Sequence, residues 1–193
     1  MEIVEEGPAE LANYARVSIA LEVSEIIDVA EATTTSGELI VSRRRLLDPY
    51  LKDYDRLPGE GPMGWPQHFD LSNWGLFGAH IDRQRVGSAA VAFDTPRLDM
   101  LEGRRDLAVL WDIRVDSKTR GQGVGSALFR AVEQWARARG CSTLKIETQN
   151  TNVPACTFYA RQGCILKEIK RSAYPQLPDE IQMLWYKDLA ADS

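Results

Sequence analysis

One segment narrows the fold more than any other. Leu107 to Val115 is a nearly continuous apolar run, broken by Asp112 and Arg114, and reads as a central strand. A short link, Asp116-Ser-Lys-Thr-Arg120, leads into Gly121-Gln-Gly-Val-Gly125. The period then changes: Val124, Ala127, Leu128, Ala131, Val132 and Trp135 make an apolar stripe at helical spacing, with Ser126, Arg130, Glu133, Gln134 and Arg137 outside it. Gly140 after Arg137 and Arg139 is a stop signal, and Thr143 to Thr148 reads as the next strand. A strand–helix–strand unit of this kind needs a sheet to lie on.

The flanking sequence supplies one. Trp74 to Ile81 and Val86 to Phe93 read as two strands joined through Asp82-Arg-Gln-Arg85 as a hairpin, and Asp94 to Gly103 is irregular. Asn152 is a good N-cap and Gly163 a natural break, so 153 to 162 is expected as a short helix. Cys164 to Lys170 and Glu180 to Tyr186 read as strands. Before residue 70 the expectations are a half-buried strand over Ala15 to Val23, a turn at Thr33 to Gly37, a short strand Leu39 to Val41, and a long loop from Asp48 to His68 with room for a short helix. The whole reads as one mixed α/β domain over 1–193, its core at 74–187.

Composition excludes several classes. At 193 residues the chain can bury a sizeable core. No apolar run approaches the ~20 residues of a membrane span, and the N-terminus lacks a secretory h-region, so the cytoplasm is the default expectation. Cys141, Cys156 and Cys164 have no pairing or metal-like spacing and suit packing roles; with only His68 and His80 present, no metal site is expected. Nine acids against Arg16 give residues 1 to 40 a charge of −8, within a net −5 for the chain. That balance argues against nucleic acid as a partner. It suits recruitment of a cationic substrate, or simply a solvated acidic surface.

Glycines where a strand hands over to a helix let backbone N–H groups converge on an anion, with the helix dipole behind them. Arg120 adds a positive charge beside them. The spacing is neither that of a dinucleotide fingerprint nor that of an ATP loop, which leaves another pyrophosphate.

Arg120-Gly-Gln-Gly-Val-Gly125 resembles the Arg/Gln-x-x-Gly-x-Gly/Ala loop of the GNAT superfamily of N-acetyltransferases. Asn152-Val-Pro-Ala-Cys-Thr-Phe-Tyr-Ala-Arg-Gln-Gly163 resembles that superfamily's second signature, Asn-x-x-Ala-x-x-Phe-Tyr-x-x-x-Gly, in the right order and at the right separation. Glu147 to Tyr159 and the Asp112-Ile-Arg-Val115 strand end are similar to streptothricin acetyltransferases. The resemblance covers about 74 to 187. It implies a central, mostly antiparallel twisted sheet flanked by helices, and acetyl-CoA as cosubstrate. It also implies that the amides of Gly121, Gln122, Gly123, Val124, Gly125 and Ser126, with Arg120, hold the coenzyme pyrophosphate. Ile113, Arg114 and Val115 would pair with the pantetheine arm and polarise the thioester carbonyl, and Asn152 would contact the coenzyme while capping its helix. Tyr159 would protonate the departing thiolate and Glu147 would act as general base.

Chemistry asks for the same parts: a base for a protonated amine, a donor for an oxyanion, an acid for a thiolate. Asp112 is a rival base. Trp65 and Trp74 are candidates to wall an acceptor site, with core packing the stronger reading for Trp74. Cys156 has no partner His and is not expected as a nucleophile. The function expected is direct acetyl transfer to a primary amine of a small cationic acceptor, an aminoglycoside or streptothricin-type antibiotic being one candidate. The alternatives are acetylation of a protein N-terminus or lysine, and a non-catalytic coenzyme A-binding module. A homodimer is the expected assembly.

Overall fold

The computed structural model describes residues 1–31, 39–56, 59 and 61–190. The fold is mixed α/β, with a large, mostly antiparallel sheet flanked by helices. The chain divides into two compact units that it threads alternately, 1–20, 53–146 and 186–193 in the first, 21–52 and 147–185 in the second.

In the first unit the strands are β1 (Glu2–Glu6), β4 (Gly75–Ile81), β5 (Gln84–Ala92), β6 (Leu107–Val115) and the start of β7 (Thr143–Gln149), neighbours in that order. All pair antiparallel except β6 with β7. The hairpin between β4 and β5 turns on Asp82 and Arg83, both at positive φ (48° and 64°), the backbone twist that a two-residue hairpin requires. Helix α3 (Val124–Ala138) lies against β4, β5 and β6 with Val124, Leu128, Phe129, Val132 and Ala136 buried beneath it. Glu133, expected outside the stripe, is buried and 3.2 Å from Lys187. The helix ends as the sequence signals: Gly140 sits at φ 77°, its N–H donates to Arg137 O and that of Cys141 to Ala136 O, which satisfies the last carbonyls.

A second core cluster of this unit holds Tyr14 of α1 (Leu11–Tyr14), Trp65 of α2 (Trp65–His68), Trp74 and Leu76, with Phe69 and Trp111 packed against it. Trp65 is 3% exposed and Trp74 8%. Neither can wall an acceptor site from inside an aromatic core, so the wall expected of Trp65 gives way to packing.

The second unit contains the antiparallel pair β2 (Leu21–Glu31) and β3 (Leu39–Lys52), the end of β7, the first part of β9 (Gln182–Asp188), β8 (Ile165–Lys170), and helix α4 (Val153–Arg161). Asn152 caps α4, its Oδ1 accepting from Ala155 N at 3.2 Å.

The N-terminal expectations needed most correction. The strand placed over Ala15 to Val23 begins only at Leu21; Val17, Leu21 and Val23 are buried, but Arg16 N and Val17 N bond back to Asn13 O and Tyr14 O in a turn. β3 runs through Pro49 to Lys52, inside the expected loop. A register shift explains how: Val23 faces Tyr50 while Glu25 faces Arg45, so Pro49 falls in a bulge where no ladder N–H is needed. The turn expected at Thr33 to Gly37 lies outside the described residues. The acidity of the N-terminal part is partly internal: Glu6 and Glu10 approach Arg85, Glu25 approaches Arg43, and Asp28 pairs with Arg44. Recruitment of a cation by that region loses force accordingly.

Candidate active site

The candidate coenzyme loop belongs to the first unit. Asp116 N donates to Val86 O at 2.8 Å, and Asp116 Oδ1 accepts from Lys118 N in a tight turn over Ser117–Thr119. Gly121 (φ 78°) and Gly123 (φ 85°) carry the chain into α3 in the left-handed region, where glycine is unstrained. Gly121, Gln122 and Gly123 are exposed, and a Cβ at either glycine would meet nothing within 4 Å. The first turn of a helix leaves its N–H groups without intrahelical acceptors, so the head of α3 carries backbone donors and the positive end of the helix dipole behind the exposed glycines. Such a surface fits a pyrophosphate. Arg120 is exposed, its Nε on Val115 O and its Nη2 on Ala20 O, both at 3.2 Å, so its charge stands at the loop's edge.

The strand behind the loop offers a second set of donors. The Asp116–Val86 bond marks a hydrogen-bonded pair; alternation along an antiparallel ladder then turns the polar groups of Arg114 and Asp112 toward β5, and those of Ile113 and Val115 to the opposite edge. Along that edge the parallel ladder to β7 runs from Leu107/Thr143 to Leu110/Ile146 and ends there. Opposite Trp111 the β5 register slips, Ala90 facing Asp112 and Val91 facing Leu110, a bulge that bends β6. The edge amides of Ile113 and Val115 lie outside the β7 ladder, where an extended amide-bearing chain could pair with them.

The side chains of Arg114 and Asp112 form a buried ion pair. The Arg114 side chain is fully buried: Nε and Nη2 donate to Asp112 at 2.9 and 2.6 Å, Nη1 and Nη2 to Asp55 at 2.7 and 3.2 Å, and Nη1 to Val17 O at 3.1 Å. Tyr14 Oη donates to Asp112 Oδ1 at 2.6 Å, and its ring lies 5.2 Å from the Arg114 guanidinium. Burial opposes the charge on Arg114, yet Asp112 and Asp55 together hold its pKa above the ordinary value. Burial, and then Asp112, push the Tyr14 hydroxyl well above its usual range. Asp112 is thus tied to Tyr14 and Arg114, and the backbone polar groups of Arg114 turn toward β5.

In the second unit, Glu147 on β7 is half-buried and held by two neutral donors. Tyr174 Oη donates to Oε1 at 2.5 Å and Gln182 Nε2 to Oε2 at 2.7 Å. Tyr159 is buried on α4. Cys156 faces Thr148 Oγ1 at 3.4 Å and Met183 S at 3.9 Å, and burial raises its thiol pKa, the opposite of an activated nucleophile. Tyr174 and Gln182 were not legible in the sequence because no periodicity or motif marks a hydrogen bond between side chains far apart in the chain. Among the described residues no group of three or more His, Cys, Asp or Glu could hold a metal ion, and no helix is long and apolar enough to cross a membrane.

The sequence model of the acetyltransferase (GNAT) family matches residues 44–164. The chain is 34% identical over 113 residues to streptothricin acetyltransferase of Escherichia coli, covering 57% of this chain and 60% of that protein. It is 36% identical over 81 residues to streptothricin acetyltransferase A of Bacillus subtilis, covering 41% and 47%. The chain thus spans roughly half to three-fifths of the length of these two relatives. Among solved structures, a nourseothricin acetyltransferase superposes with TM-score 0.75 at 20% identity over 97% of this chain and 98% of its own. A candidate streptothricin acetyltransferase from Bacillus anthracis, solved with acetyl coenzyme A, does so with TM-score 0.75 at 23% identity over the same shares. With a glycine loop opening α3, a ladder that ends at Leu110, and a matched segment that holds both, the chain belongs to the acetyltransferase (GNAT) family.

Proposed function

We propose that this protein transfers an acetyl group from acetyl-CoA to a primary amine of a small cationic acceptor of the streptothricin type, by direct attack in a ternary complex. The observation that carries the reading is the exposed turn Arg120–Gly123 that leads into α3, next to a strand edge whose Ile113 and Val115 amides lie outside the β7 ladder. Bound acetyl-CoA supplies the acetyl group as an activated thioester. Amides of the 121–126 segment hold its diphosphate, that of Gln122 already donating to Thr119 O, with Arg120 adding charge, and the Ile113 and Val115 edge aligns the amide-bearing arm and offers N–H donors to the carbonyl oxygen. Asn152 adds a coenzyme contact to its capping role. Glu147 accepts a proton from the attacking amine; Tyr159 gives one to the sulfur as the carbon–sulfur bond breaks, so no covalent enzyme species forms. The choice of acceptor rests on the curated relatives named above, both streptothricin acetyltransferases.

A panel of streptothricin, aminoglycosides, polyamines and peptides with free N-termini, assayed for acetyl-CoA-dependent thiol release, tests this directly. Turnover of streptothricin well above the peptides supports the reading. Preference for a peptide would move the acceptor to proteins, and coenzyme A binding without turnover of any amine would reduce the chain to a binding module.

A further inference from the structure

Glu147 does not stand alone in the second unit. Its carboxylate closes a chain of side-chain hydrogen bonds in which Gln149 Nε2 donates to Tyr174 Oη at 2.9 Å, Tyr174 Oη donates to Glu147 Oε1, and Gln182 Nε2 donates to Glu147 Oε2. Glu147 and Gln149 share one face of β7 at i and i+2, and Gln182 opens β9. Tyr174 comes from neither: it sits in the connection 171–181 between β8 and β9.

That connection is fastened where it leaves and re-enters the sheet. Arg171 Nη2 donates to Val29 O at 2.7 Å. Leu177 N donates to Tyr174 O and Glu180 N to Leu177 O, both at 2.9 Å, two successive tight turns that carry the chain back. Glu180 is buried and ion-paired with Lys52, while Ile181 and Asn150 exchange hydrogen bonds, Ile181 N to Asn150 Oδ1 at 2.9 Å and Asn150 N to Ile181 O at 3.0 Å. A segment held this way can present a phenol with little rotational freedom.

We propose that Tyr174 is a positioning residue for the general base: by donating to one oxygen of Glu147, while Gln182 holds the other, it locks the rotamer of the carboxylate and leaves the remaining lone pairs for the acceptor amine. A carboxylate has about four lone-pair sites, so two donors still leave sites for an incoming proton. A glutamate has three side-chain torsions, and a base must be held to within a fraction of an ångström and 10–20° of the productive geometry to work at full rate. Tyr174 donates to Glu147 and accepts from Gln149, so its hydroxyl is oriented as well. The inference rests on the proposed base role of Glu147.

A double-mutant cycle separates the two ideas. Full-length wild type, Tyr174→Phe, Glu147→Gln and the double variant are compared with acetyl-CoA and the fastest amine of the panel, reading kcat, both KM values and the melting temperature. Glu147→Gln should lower kcat by about 100-fold or more. Tyr174→Phe should lower kcat by about tenfold, the worth of one hydrogen bond to a charged group, with the acetyl-CoA KM and the melting temperature held. In the Glu147→Gln background the same change should cost nothing further, because the group it positions is gone. A tenfold loss that persists in that background overturns the inference and makes Tyr174 an acceptor contact; so does an unchanged kcat in Tyr174→Phe. Full activity of Glu147→Gln overturns the base role instead, and an enzyme that releases thiol with no amine overturns both.

Discussion

Arg114 on β6 grips Asp55, fifty-nine positions earlier in the chain, by a two-pronged contact of 2.7 Å from Nη1 to Oδ2 and 3.2 Å from Nη2 to Oδ1. The same guanidinium binds Asp112 two residues away, so one buried cation serves two carboxylates and ties the turn at Tyr54–Arg56 to the strand that backs the glycine loop. Replacing Arg114 by Ala leaves two acids and Tyr14 without it. The expected loss is about 3–5 kcal/mol of unfolding free energy, the scale of breaking a buried pair from one side. Chemical denaturation measures it; a loss below about 1 kcal/mol would show that the cluster is not a tie. Arg114→Lys should recover only part, since an ammonium cannot serve both carboxylates with a planar fork.

Gly123 enters α3 at φ 85° with open space around it. A Cβ there meets nothing within 4 Å, so the folding cost of a valine is set by the left-handed backbone, at least about 1–2 kcal/mol. The coenzyme should suffer more: its dissociation constant is expected to rise by at least about tenfold as the turn's amides reorient. Gly103 (φ 66°), equally unhindered but away from the loop, is the control. Calorimetry should find the Gly103→Val protein binding coenzyme A normally; equal weakening in both variants would deny the loop its role.

Tyr159→Phe keeps the buried ring and removes only the hydroxyl. If that hydroxyl is the acid, kcat falls by about 100-fold while coenzyme affinity stays within about twofold. Stopped assays of thiol release beside equilibrium titration decide between this and a purely packing role, which would leave kcat intact.

Cys141 provides a pH signature of the fold. Burial, reinforced by Asp106, pushes its thiol up to about 11 from an ordinary value near 9. The folded state therefore holds a proton that the unfolded chain releases between those values, and stability should fall as pH rises from about 9 to 11. Melting temperatures across that window should drop less steeply in Cys141→Ala. An identical slope in both proteins would assign the alkaline loss to other groups, Tyr14 first.

How far the sequence reached can be read from particular elements. The α3 stripe, the Gly140 stop, the Asn152 cap, the hairpin at Asp82–Arg83 and the run Leu107–Val115 all stand where their residues indicate. Each depends on neighbours a few positions apart. β1 was not legible: Glu2-Ile-Val-Glu-Glu6 carries three acids in five residues, and it becomes a strand because β4 offers an edge, where charged side chains can face solvent. Nor was the passage of β3 through Pro49, which depends on a bulge against β2.

Local chemistry in the sequence determined that a sheet passes to a helix through glycines able to expose amides, because period, caps and left-handed turns are properties of contiguous residues. The tertiary structure alone decided the partners. Asp112 meets Tyr14 ninety-eight positions away and becomes a structural anion, Trp65 joins a core, and Glu147 receives Tyr174 and Gln182. The physical reason is that a buried charge or polar group must find its counterpart wherever the chain brings one within reach, and no spacing along the sequence records which one that will be.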